Sequence, residues 1–120
     1  MSHPNDPSLR MESRDNCLLI HVLGELDHHY CESARGRIDD SYDDCRALHM
    51  IFDFSGLDFM DSSAIGLILG RSKKAALLGG QVVLIHVSPR LHKIFTMSGL
   101  YRIVQEAPDY PAALRLTKGE

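Results

Sequence analysis

Three short, almost uninterrupted apolar runs punctuate the chain: residues 17–23 (CLLIHVL), 49–54 (HMIFDF) and 81–87 (QVVLIHV). Each is too short for a helix and too apolar for a strand with one wet face, so each predicts a strand covered on both sides. Gly24 ends the first run, and the turn-forming residues 55–58 (SGLD) follow the second. Residues 9–13 predict a short edge strand before the first run, and residues 103–105 a last short strand.

Between these runs the period changes. From about residue 29 to 43, Cys31, Ala34, Ile38 and Tyr42, with Cys45 beyond, recur at helical spacing with charges between them. The longest helix is expected over residues 62–78, with Ile65, Ile68, Leu69, Ser72 and Ala76 on its apolar face, Arg71 and Lys74 off it, and Gly79-Gly80 as its stop. Gly66 and Gly70 inside it each cost about 1 kcal/mol relative to alanine, which predicts something packed closely against the backbone there. Ser88-Pro89 supplies an N-cap and a first-turn proline for a helix with Leu91, Ile94 and Phe95 inward and Gly99 at its end. Residues 109–117, with Ala112, Leu114 and Leu116, predict a closing helix.

Alternating strands and helices predict an α/β domain. Right-handed crossovers then place the loops 24–28, 55–61 and 88–89 at one edge of the sheet, where such folds bind their partners. With 120 residues, no repeat and no linker, the chain is expected to form one compact domain over residues 9–117 after a polar lead, residues 1–8.

Composition narrows the class. No apolar run approaches the roughly 20 residues that cross a bilayer, and the N-terminus has no signal-peptide core, so a cytoplasmic protein without membrane contact is expected. Cys17, Cys31 and Cys45 form no CxxC pair and no Cys/His cluster, which predicts reduced thiols and no metal; His28-His29 lacks a third ligand. The net charge of −3 is unevenly spread, because residues 71–102 contain no acid but carry Arg71, Lys73, Lys74, Arg90, Lys93 and Arg102. A solvated basic face explains that run, a surface for an acidic partner is the alternative, and nucleic-acid binding is not indicated. Neither a GxSxG, a GxxxxGK[ST] nor an HExxH motif occurs, so hydrolase, P-loop and zinc-protease chemistry have no support. Asp53 suggests the acceptor of a receiver domain, but the acidic pair and the lysine such a domain needs are missing from the comparable places. No catalytic residue and no cofactor are expected.

The sharpest local feature is Phe59-Met60-Asp61-Ser62-Ser63, where a loop enters the longest helix. Asp and Ser cap helices, so capping alone explains it. These residues, with Gly24-Glu25-Leu26-Asp27-His28-His29, Ile68-Leu69-Gly70-Arg71, Ser88-Pro89 and Met97-Ser98-Gly99-Leu100, resemble in order and spacing the anti-sigma-factor antagonists of the STAS family. The resemblance implies a mixed sheet of four to five strands with about four helices. It also implies a monomer that binds an anti-sigma factor serine kinase and so releases a sigma factor. Phosphorylation of Ser62, the first serine after the aspartate, ends that binding, and a serine phosphatase restores it; Asp27, Asp61, Ser62 and Ser63 would meet the partner. An interaction module in a stress-response complex is the alternative reading. Asp27 is read either as the N-cap of the helix at His29 or as a pair for a partner's arginine. One departure is Ala64, where the family usually has glycine, with the expectation of a stiffer and less accessible site.

Overall fold

The computed structural model describes residues 9–119; the expected polar lead, residues 1–8, lies outside them. The strands are β1 (Leu9–Arg14), β2 (Cys17–Leu26), β3 (His49–Met60), β4 (Val82–Ile85) and β5 (Gln105–Ala107). The helices are α1 (His28–Cys45), α2 (Ser63–Leu77), α3 (Pro89–Ser98) and α4 (Tyr110–Thr117), with a 3-10 turn at Leu100–Arg102. The strands lie in the sheet in chain order, β1 antiparallel to β2 and all later pairs parallel. Among the described residues the sheet is therefore mixed and five-stranded, with four helices, as the resemblance implied.

Local chemistry sets the junctions. Asp15 and Asn16 both take positive φ, 55° and 64°, in the two-residue turn that joins β1 to β2, a conformation these short polar side chains tolerate. Ser88 and Asp109 cap α3 and α4 through their side chains, accepting from the amides of Leu91 and Ala112. At Gly80 a Cβ would collide with the Leu48 carbonyl, so only glycine admits that approach.

Each crossover from β2 to β5 steps one strand in the same direction, and right-handedness then puts α1, α2 and α3 on one face. The main core lies under them: Leu18, Ile20, Phe52, Phe54 and Leu84 of the sheet meet Ile38, Tyr42, Ile68 and Phe95 of the helices. Helix α4 covers part of the other face, over Cys17, Leu19, Ile51, Val83 and Ile85.

Four expectations are corrected. The turn at 55–58 is strand, because β3 continues to Met60 beside a β2 that itself runs to Leu26, with irregular register at His21/Leu23 and Gly24/Glu25. The last strand lies at Gln105–Ala107, after a 3-10 turn that the short apolar pattern concealed. The inward face of α2 is Ala64, Leu67, Ile68, Arg71, Ser72 and Ala75, so Arg71 is buried and Ala76 exposed. Gly66 and Gly70 face open space, with no atom beyond their own stretch of helix within 4 Å of a Cβ built on either. Both border a groove instead.

Arg71 is buried against an acid of α1, and Lys74 pairs with a second. Its Nε lies 2.9 Å from Asp39 Oδ1, and Lys74 Nζ reaches Asp43 at 3.2 Å. Asp39 and Asp43 stand one helical turn apart, as do Arg71 and Lys74, so the acidic segment of α1 neutralises part of the basic run and ties α1 to α2. Among the described residues, no helix is long and apolar enough to cross a membrane.

Candidate functional site

The site forms where β2 and β3 end together. Leu26 pairs with Met60, and the Asp61 amide adds one long bond to the Leu26 carbonyl at 3.4 Å. Past that rung the chains diverge into α1 and α2, so Asp27 and His28 lie beside Asp61, Ser62 and Ser63. The four residues expected to meet a partner thus gather at one edge, although they come from segments more than thirty residues apart.

Each has a distinct task. Asp27 Oδ1 accepts from the Tyr30 amide at 3.0 Å, so one of its oxygens is committed to capping α1. Asp61 bridges the two helices: Oδ1 accepts from the Ser63 amide at 2.8 Å and Oδ2 from the His28 amide at 2.9 Å. Those donors, the Ser63 amide first, outweigh a desolvation penalty and hold the Asp61 carboxyl below the usual carboxylate range. Ser63 is half-buried, and its hydroxyl lies 3.2 Å from His28 Nδ1. Ser62 occupies the N-cap position of α2 at φ −62° and ψ −17°, yet its side chain caps nothing and is exposed. Capping therefore accounts for Asp61 but not for Ser62.

Two recesses flank the serines. Between α1 and α2 runs a groove of about 510 Å³ whose lining includes His28, Cys31, Glu32, Arg35 and Ser63. Burial, reinforced by the negative charge of Asp61 and Asp27, pushes the Cys31 thiol up to about 11, so it stays protonated at neutral pH. On the other side lies a cleft of about 60 Å³ bordered by Phe59, Met60, Arg90 and Ile94. Phe59 is 44% exposed beside this cleft. Ala64 is fully buried, so its methyl adds nothing to the surface that presents Ser62.

Sequence reasoning missed His28 and Phe59 as site residues. Both stand inside the quoted motifs, but only the pairing of β2 with β3 brings His28 to Ser63, and only the late end of β3 exposes Phe59. Asp53 lies elsewhere. It is buried in the sheet, where Oδ2 meets His21 Nδ1 at 2.8 Å and Oδ1 accepts from the Ser55 amide at 2.9 Å. Among the described residues, no three His, Cys, Asp or Glu side chains are grouped to hold a metal.

The STAS domain family model matches residues 8–115. An anti-sigma F factor antagonist of Paenibacillus polymyxa is 35% identical over 96 residues, covering 80% of this chain and 82% of that protein. The solved structure of the anti-sigma factor antagonist SpoIIAA in its unphosphorylated form superposes with a TM-score of 0.78 at 33% identity, covering 93% of this chain and 97% of that one. The phosphorylated form of SpoIIAA, a Bacillus cell fate determinant, superposes with a TM-score of 0.70 at 33% identity over 90% and 98% of the two chains.

Proposed function

This chain belongs to the STAS domain family, and on that premise we propose that it is an anti-sigma factor antagonist switched by phosphorylation of Ser62. The unmodified form binds an anti-sigma factor that is also a serine kinase and so frees a sigma factor. The chain is the substrate of that phosphoryl transfer, and a serine phosphatase reverses it. The protein works in the cytoplasm as a monomer.

The observation that carries this reading is the contrast at the start of α2: Asp61 is held by two amides, while the neighbouring Ser62 hydroxyl is exposed and caps nothing. A kinase can take such a hydroxyl without first breaking a helix cap. The product carries about −1.5 to −2 charges at neutral pH.

The first-turn amides limit what the phosphate gains. Those of Ser63, Ala64 and Ile65 already donate to Asp61 Oδ1, the Asp61 carbonyl and the Ser62 carbonyl. The phosphate is left with the helix dipole, worth roughly 0.3–1 kcal/mol at an exposed site, and the fold survives modification. Its charge adds to Asp27, Asp58 and Asp61 on the same edge. A docked partner must desolvate that dianion, and a penalty of about 4 kcal/mol already corresponds to roughly a thousandfold in affinity. Repulsion at the interface suffices, and the fold need not change.

The test is incubation with the anti-sigma factor kinase of the same cells and ATP. Mass spectrometry is expected to find one phosphate, on Ser62; Ser62→Ala takes none there, and Ser62→Asp binds the kinase weakly. Unchanged binding by the Asp variant overturns the proposal.

A further inference from the structure

Two adjacent serines open α2, and the fold treats them differently. Ser63 borders the groove between α1 and α2, its amide is bound by Asp61 Oδ1, and its hydroxyl lies 3.2 Å from His28 Nδ1. His28 is itself fixed, because its backbone amide donates to the other Asp61 oxygen at 2.9 Å. Ser62 is exposed, does not border that groove and caps nothing. One carboxylate thus fixes the backbones of both His28 and Ser63, and the imidazole then binds the hydroxyl of one serine only.

The geometry points to His28 as the residue that selects the phosphate acceptor: by holding the Ser63 hydroxyl toward α1, it leaves Ser62 as the serine within reach of the kinase. This inference rests on the phosphorylation reading above. In that transfer the serine oxygen forms a bond to the γ-phosphorus of ATP, the bond to the departing ADP breaks, and the hydroxyl proton passes to a base on the kinase. A serine oxygen must therefore face outward with a lone pair free and its proton accessible. In one tautomer of His28 the Ser63 proton is committed to Nδ1, and in the other a Ser63 lone pair is. Both hold the oxygen on the groove side. Releasing one ordinary hydrogen bond changes reactivity by about fivefold, so His28 sharpens a choice that exposure already favours.

The effect is read most cleanly where Ser62 cannot compete. Wild type, Ser62→Ala, Ser62→Ala/His28→Ala and Ser62→Ala/His28→Asn are each incubated with the kinase and ATP, and initial rates of phosphate incorporation are mapped by residue. Asparagine places an amide close to the position of Nδ1 and keeps the bond to Ser63. Wild type is expected to be modified on Ser62, and Ser62→Ala only in trace on Ser63. The added His28→Ala change raises the Ser63 rate about fivefold, and His28→Asn leaves it unchanged. An equal or lower rate with alanine overturns the inference, as does the same rise with asparagine, which would trace the effect to packing and not to the bond. Absence of phosphate from Ser62 of the wild type sinks the underlying reading and this inference with it.

Discussion

The Asp61 carboxylate receives the His28 backbone amide at 2.9 Å across 33 residues of sequence, and through that bond the start of α1 is fastened to the start of α2. Its other oxygen holds the Ser63 amide. Asparagine offers one acceptor oxygen in place of two, so Asp61→Asn keeps one bond and Asp61→Ala neither. Amide hydrogen exchange at His28 and Ser63 is expected to accelerate at one position in the Asn variant and at both in the Ala variant, with weaker kinase binding following in that order. Because its pKa is depressed, Asp61 stays charged through the usual carboxylate range. The clamp is complete at neutral pH and is lost only as pH falls through that lowered value.

Arg71 and Asp39 hold the middle of the same two helices together. The Arg71 side chain is 8% exposed and that of Asp39 26%, so removing the acid leaves a nearly buried guanidinium short of its partner. Asp39→Ala is expected to cost about 2 kcal/mol in chemical denaturation, discounted from the range for fully buried pairs because Asp39 is partly solvated. Arg71→Met in the Asp39→Ala background restores most of that loss.

Asp53 gives the sheet a pH dependence of its own. Burial opposes ionisation of Asp53, but the amide and hydroxyl of Ser55 and the ring of His21 outweigh it and lower its pKa. A lowered pKa stabilises the fold above the unfolded carboxylate value, and that contribution disappears as pH falls through the folded value. Asp53→Asn is therefore expected to lower stability by about 1–3 kcal/mol at pH 7. Denaturation midpoints of variant and wild type converge in acid.

Phe59 is an exposed aromatic three residues before Ser62, beside the cleft toward Ile94. Phe59→Ala is expected to weaken kinase binding by about 2 kcal/mol, as for an interface anchor. Its own stability changes by about 0.5 kcal/mol or less. Calorimetric titration and denaturation of the same sample separate the two.

The buried strands were legible because residues 17–23, 49–54 and 81–87 are too apolar to be anything but covered on both faces. The cap at Ser88 was legible because its chemistry is local. Arg71 was misplaced because its burial depends on Asp39, a residue of another helix that no periodicity within α2 can reveal. Gly66 and Gly70 were misread for a related reason: a helical glycine signals either close packing or open space, and only the neighbouring helix decides. At the site, the motifs supplied Asp27, Asp61, Ser62 and Ser63, but not the bonds that separate the two serines. Those bonds need His28 beside Ser63, which the parallel pairing of Leu26 with Met60 provides.

The most direct measurement is the affinity of the kinase for this chain, by calorimetric titration, before and after stoichiometric phosphorylation at Ser62. A loss of about a thousandfold is expected on modification, with amide exchange in the core unchanged and stability altered by no more than the roughly 0.3–1 kcal/mol of the helix dipole. Equal affinity of the two forms would contradict it.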